Sequence, residues 1–202
     1  MASSLLARLI HRWVYGGGLA GVLLLLLTPL LCAEWSPALT ATFLLLPAYM
    51  LHQLEEHDRD RFRLFFNATI GQGHAVLSPR AVFLTNVPGV WGVIALSLYL
   101  ATELSVGWAL IAVDLVLVNA AVHLAHAIAF RRSNPGLVTA VLLFLPLGLS
   151  ALALILRSGL SSPMQQGVSL AIAIGIHVAI LLHVKQRLAR CQRRADRAIR
   201  AN

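Results

Sequence analysis

Charge is scarce in this chain. Only 12% of its 202 residues are charged, Asp and Glu together number 8, and 58% of residues are hydrophobic. Mean hydropathy is +0.79. A soluble domain carries about a quarter charged residues, so the scarcity excludes one and points to a membrane protein. Cysteine is nearly absent too: Cys32 and Cys191 are the two, too few for a thiolate metal cluster. The topology derived below puts them on opposite faces of a bilayer, which excludes an intramolecular disulfide. Long polar stretches are missing as well, the longest outside the apolar runs being residues 57–80 and the basic tail. The net charge of +8 does not signal nucleic-acid binding, because the basic residues sit at the ends of apolar runs without an aromatic platform or motif.

What the chain does have is apolar length. Six segments reach the roughly 20 residues a helix needs to cross a bilayer, at about 13–33, 37–54, 81–101, 105–130, 136–156 and 166–184. The second is short and ends in charge. The first is read as a retained helix, since cleavage after Ala33 would put bulky Leu31 where a small residue is needed. Of the 16 Lys and Arg residues, all but Arg157 fall on one side of the six spans. Basic loops face the cytoplasm, so the expectation is an all-α, polytopic helical membrane bundle with six transmembrane helices and both termini cytoplasmic. It forms one membrane domain over residues 1–202, with a core of about 40–185. The tail at 185–202 continues the last span as a basic helix that fixes topology; Leu188, Cys191, Ala195 and Ile199 give it a thin apolar stripe. The Asn67-Ala68-Thr69 glycosylation sequon falls on the cytoplasmic side and is expected to be silent.

Against this apolar background the few polar side chains are informative. Residues 52–57 read His-Gln-Leu-Glu-Glu-His at the end of the second run, and the fourth run carries Asn119, His123 and His126. On a helix, His52, Glu55 and Glu56 share one face, as do Asn119, His123 and His126. Ionisable groups in lipid are costly and mark a pathway or a reactive site. Counting helical rise, His126 and His123 lie roughly 8 and 12 Å inside Arg131, Asn86 roughly 9 Å inside Arg80, and His177 roughly 12 Å inside Lys185. These depths predict one polar cavity in the cytoplasmic half, between the second and fourth spans and bordered by the third and sixth. Asp114 lies higher and is rotated away. Contact between His52 and His123 follows, because two imidazoles and a carboxylate facing lipid would be strongly disfavoured.

The chain resembles the HXXEE-domain membrane proteins. The resemblance rests on His52-Gln53-Leu54-Glu55-Glu56, on Asn119-Ala120-Ala121-Val122-His123, and on Pro135-Gly136 within Arg-Arg-Ser-Asn-Pro-Gly-Leu-Val-Thr-Ala. Their order and spacing span roughly residues 40 to 185. Where the family pattern has an aromatic residue shortly before Pro-Gly, this chain has Ser133. The resemblance implies a multi-span bacterial membrane protein, hence the inner membrane, and no particular activity.

Imidazole with carboxylate suits Zn, Fe or Mn. A catalytic zinc takes three protein ligands and an open position. His52, His123 and His126 are the candidate metal ligands, Glu55 and Glu56 supply a further ligand and a general base, and Asn86, Asn119 and His177 are candidates to orient the ligands. The reading these residues favour is a metal-dependent membrane enzyme, hydrolase or oxidoreductase, acting on a lipid-like substrate. Two other readings use the same residues. A small transporter or proton- or cation-conducting protein would relay protons or bind a cation through His52, Glu55, Glu56 and His123, although no internal repeat is present. A structural protein would use the histidines to join helices, with Arg59 and Arg63 pairing the acids.

Overall fold

The computed structural model describes residues 4–201, without the side chains of residues 195 and 198–201. Ala195 and Ile199 of the tail stripe therefore lie outside it. The described residues are helical throughout, with no strand. They form α1 (Leu5–Leu31), α2 (Pro37–His57), α3 (Arg61–Thr69), α4 (Pro79–Glu103), α5 (Val106–Phe130), α6 (Leu137–Arg157) and α7 (Pro163–Ala201).

Local chemistry explains the boundaries. Ser4, Ser36 and Ser78 precede α1, α2 and α4, and each hydroxyl accepts a first-turn backbone N–H, the capping that these side chains favour. Pro37 and Pro79 occupy the first helical position, where no N–H is needed. After α2 the chain reverses at Arg59 and Asp60, both with positive φ, and Arg63 clasps the Asp60 carboxylate. Asn67 then bridges the loop before α4: its amide donates to the Leu77 carbonyl at 3.2 Å and its Oδ1 accepts from Leu77 N at 2.9 Å. The sequon asparagine thus has a structural partner.

α1 and α2 form an antiparallel hairpin. Trp13 meets His57 at a ring-centroid distance of 5.2 Å, Gly18 faces Leu54, and Gly21 faces Met50 and Pro47. A Cβ on Gly21 would stand 3.0 Å from Met50 Cβ and 3.1 Å from Pro47 O, so the absent side chain is what lets the two backbones approach, as at small-residue helix interfaces in membranes. α2 is the hub of the bundle. Its Ala38, Ala41, Leu45 and Tyr49 join the main apolar core with residues of α4, α5 and α6, and His52, Gln53, Glu56 and His57 are buried near its end.

Among the described residues five helices, rather than the six expected, are long and apolar enough to cross a membrane: α1, α4, α5, α6 and the first part of α7. The exception is α2. It is enclosed by its neighbours, so its composition answers to protein rather than lipid and tolerates His, Gln and Glu. Large apolar side chains exposed on the other helices, such as Leu19, Leu26 and Ile128, face outward instead. Around Pro88 and just before Pro146 the helices widen into π-turns, at Thr85–Trp91 and Ala140–Phe144. In the first, Asn86 Nδ2 donates to the Val82 carbonyl at 2.9 Å, a side-chain repair of the disturbed backbone ladder.

Candidate metal centre

His52 and Glu56 lie one turn apart on α2, and His123 comes from the facing side of α5. All three are buried, and one ligand atom from each falls within 4.8 Å of the others. Glu56 is the middle member: its Oε2 is 3.7 Å from His52 Nε2 and its Oε1 is 3.6 Å from His123 Nε2. The expected His52–His123 contact is present, with ring centroids 5.0 Å apart.

The turn between α5 and α6 determines which way these imidazoles point. Asn134 is buried there; its Nδ2 donates to the His123 carbonyl at 2.9 Å, which leaves its Oδ1 as the atom facing His123 Nδ1 at 2.6 Å. An amide oxygen only accepts, so His123 Nδ1 carries the proton. On the other ring, His52 Nδ1 is 2.8 Å from Thr139 Oγ1. The Thr139 hydroxyl donates to Glu55 Oε2, with the Gly136 carbonyl as its alternative acceptor. The hydroxyl oxygen therefore accepts from His52 Nδ1–H. In both neutral rings the lone pair is left on Nε2, directed at Glu56. His52 Nε2 has no hydrogen-bond partner. Locking one ring nitrogen with an oxygen acceptor and freeing the other is how metal-bound histidines are held.

Gly136 closes the arrangement. Its φ of +92° places it in the left-handed region, and a Cβ there would lie 2.8 Å from Cε1 of both His52 and His123. Only glycine satisfies the backbone and the contact together.

A family model described as "Protein of unknown function with HXXEE motif" matches residues 43–151, more than half of the chain and all of the centre. The chain belongs to the HXXEE family. The matched region is narrower than the motif spacing suggested, stopping within α6. No curated protein and no solved structure matches the chain.

The two glutamates of the HXXEE motif diverge. Glu56 enters the centre, whereas Glu55 turns to the start of α6, accepting from Thr139 N at 2.8 Å, Val138 N at 3.4 Å and the Thr139 hydroxyl. A carboxylate at a helix N-terminus satisfies its free N–H groups and its dipole. Neither acid pairs with Arg59 or Arg63: Arg59 lies beside Asp58, Arg63 pairs with Asp60, and Arg61 donates to the Glu55 carbonyl.

The remaining candidates lie around the centre. His126 stacks on Phe130 at 4.4 Å and tilts against Phe65, outside the three-residue group, with neither ring nitrogen hydrogen-bonded. Asn86 accepts from Gln53 Nε2 at 2.9 Å, and Gln53 Oε1 accepts from Trp91 Nε1, a chain of bonds that ties α2 to α4. His177 Nδ1 donates to the Ala173 carbonyl at 2.8 Å. Asn119, His126 and His177 border an apolar cavity of about 160 Å³, together with Glu56, His57, His123 and Asn134.

Sequence reasoning passed over four participants. His57 is buried, with Nε2 3.0 Å from Glu56 Oε2 but without hydrogen-bond geometry; it closes the same hexapeptide as His52. Asn134, Gly136 and Thr139 belong to the Asn-Pro-Gly-Leu-Val-Thr stretch that carried the resemblance. The glycine and its preceding proline were a turn signal, but which side chains the turn presents to the histidines depends on its packing.

Proposed function

We propose that the protein is a metal-dependent membrane hydrolase acting on a lipid-like substrate. One observation carries the reading: two buried imidazoles set their Nε2 atoms beside one carboxylate at distances too long for hydrogen bonds, 3.6 and 3.7 Å. Helix-joining histidines would close one of those gaps with a proton at about 2.9 Å. Ligand atoms around a tetrahedral zinc stand roughly 3.3–3.4 Å apart; one ligand atom each from His52, Glu56 and His123 lies within 4.8 Å of the others, so the three would draw together by up to about 1.4 Å to hold one cation. Two imidazoles and a carboxylate suit Zn, Fe or Mn. Glu56, His57 and His123 also line the cavity, so the residues that would hold the cation border the space a substrate would enter.

A divalent cation there supplies Lewis acidity toward a carbonyl and toward water. The chain does the rest. Asn134 and Thr139 hold the imidazoles in the ligating tautomer, Glu55 anchors Thr139, and His57 is placed beside Glu56 to take up a proton. Hydrolysis of an ester or amide puts the water hydroxyl on the acyl carbon and its proton on the departing oxygen or nitrogen. The apolar walls keep bulk water away from the reacting groups.

The reading sets the protein in a bacterial inner membrane with both termini in the cytoplasm, supported by the concentration of basic residues at one side. α2 then crosses as an inner rod, antiparallel to α1 and shielded by its neighbours. Metal analysis of the purified full chain tests the centre: about one equivalent of divalent metal per chain is expected, lost in His123→Ala and in Glu56→Gln. Wild-type protein without stoichiometric metal overturns the proposal.

A further inference from the structure

The cavity beside the centre has a graded lining. Tyr49, Val90, Leu115 and Ile176 form its apolar end, while Glu56, His123 and Asn119 give it a polar band. Leu115 lies eight residues before His123 on α5, roughly 12 Å along the helix axis. Near the end of α5 the walls become aromatic, with Phe62, Phe65 and Phe66. Val122 and Leu181 are wall residues that are also 48% and 49% exposed, so the cavity opens sideways through an apolar rim. On a bundle lying in lipid, such an opening faces hydrocarbon rather than water.

The charge of the walls selects among amphiphiles. Among the described residues no lysine or arginine lines the cavity, although the chain has 16. One guanidinium, that of Arg132, stacks over Phe65 at 5.0 Å from the ring centroid, outside the wall. In the metal-free protein an anionic headgroup would meet no lysine or arginine inside and would lie near Glu56. The polar groups available are neutral: Asn119 Oδ1 and both ring nitrogens of His126 lack partners within the protein. Such atoms gain from an occupant that brings hydroxyl or amide groups. The volume, about 160 Å³, is below the roughly 300–1,000 Å³ of pockets that enclose a whole small molecule, so an occupant lies partly in the cavity and partly in its sideways opening.

We infer that this cavity binds an uncharged single-chain amphiphile, a hydroxyl- or amide-bearing lipid, which enters from the bilayer past Val122 and Leu181. Its chain lies against Tyr49, Val90 and Leu115, and its polar group lies level with Glu56 and His123. This names the substrate class for the hydrolase reading and rests on it for the placement of the scissile group; the binding itself needs no metal.

The test is equilibrium binding to the purified full chain in nanodiscs after treatment with chelator. Monooleoylglycerol, oleate and oleoyl lysophosphatidylglycerol are compared by native mass spectrometry, with metal content measured on untreated samples. Expected is one monooleoylglycerol per chain, with both anionic lipids weaker by roughly tenfold or more. Val122→Trp and Leu181→Trp, at half-exposed positions that tolerate bulk, fill the mouth and abolish binding. Asn119→Leu weakens it roughly tenfold, and Leu149→Trp on the outer surface of α6 changes nothing. Equal or tighter binding of the anionic lipids overturns the inference, as does binding that survives both tryptophan variants. Stoichiometric metal without monooleoylglycerol binding sinks the inference alone; monooleoylglycerol binding without metal sinks the hydrolase reading alone.

Discussion

His52 and His123 meet nearly edge to face, with ring centroids 5.0 Å apart and planes at 81°. They are 71 positions apart in the chain, on helices whose apolar surfaces share one core. Their Nδ1 nitrogens are held by Thr139, in the first turn of α6, for His52 and by Asn134, in the turn just before it, for His123. The turn between α5 and α6 therefore works as a brace across both rings.

The brace gives the first prediction. Asn134→Ala and Thr139→Val leave every proposed metal ligand in place but release the tautomer of one ring. Metal affinity should fall by roughly 10–100-fold in each, read by competition with a chromophoric chelator. Unchanged affinity in both variants would show that the turn serves folding alone.

Gly136→Ala strains the same place from the backbone side. At φ +92°, with 2.8 Å from the new Cβ to each imidazole Cε1, the substitution should destabilise by about 1–3 kcal/mol and displace the rings. Thermal unfolding in detergent reads the stability, and metal content reads the displacement. Gly73 has a φ of +84° with open space around it, so Gly73→Ala should show the backbone cost and keep the metal.

Glu55 and Glu56 are adjacent and chemically alike, yet their substitutions should diverge. Glu56→Gln removes the central carboxylate and with it the bound metal. Glu55→Gln weakens the cap on α6, a loss of about 0.5–2 kcal/mol, and leaves metal stoichiometry intact. Thermal midpoint and metal content on the same preparations separate the two effects; equal metal loss would place Glu55 in the centre as well.

Topology can be checked with single cysteines in a background lacking Cys32 and Cys191. Glu34 lies between α1 and α2, and Arg131 lies between α5 and α6. If α2 crosses the bilayer inside the bundle, Glu34→Cys should react with an impermeant maleimide from outside the cell, and Arg131→Cys only after lysis. Reaction of both from the same side would contradict six crossings.

Much of this molecule could be read from residue order. Apolar length, the serine and proline starts, and the scarcity of charge already implied a helical bundle, because backbone groups in hydrocarbon must be paired within each segment. The histidines and glutamates stood out because ionisable groups in such runs are rare. Periodicity placed His52 and Glu56 on one face of α2, and depth counting brought His123 opposite them.

Packing decided the rest. Glu55 and Glu56 have the same side chain and the same depth, and only the position of the α6 N-terminus separates a cap from a ligand. His126 shares the face of His123 but stacks on Phe130 and Phe65, since α3 folds back beside it. α2 is less apolar than a lipid-facing span because five neighbouring elements, brought close by glycine contacts, replace lipid around it. The sequence by itself determined which groups had to be kept from lipid, a matter of solvation free energy. Which of them share a centre was left to the tertiary structure, because the six-residue turn at 131–136 and the first turn of α6 set atomic positions to fractions of an ångström that helical period and depth resolve only to a turn.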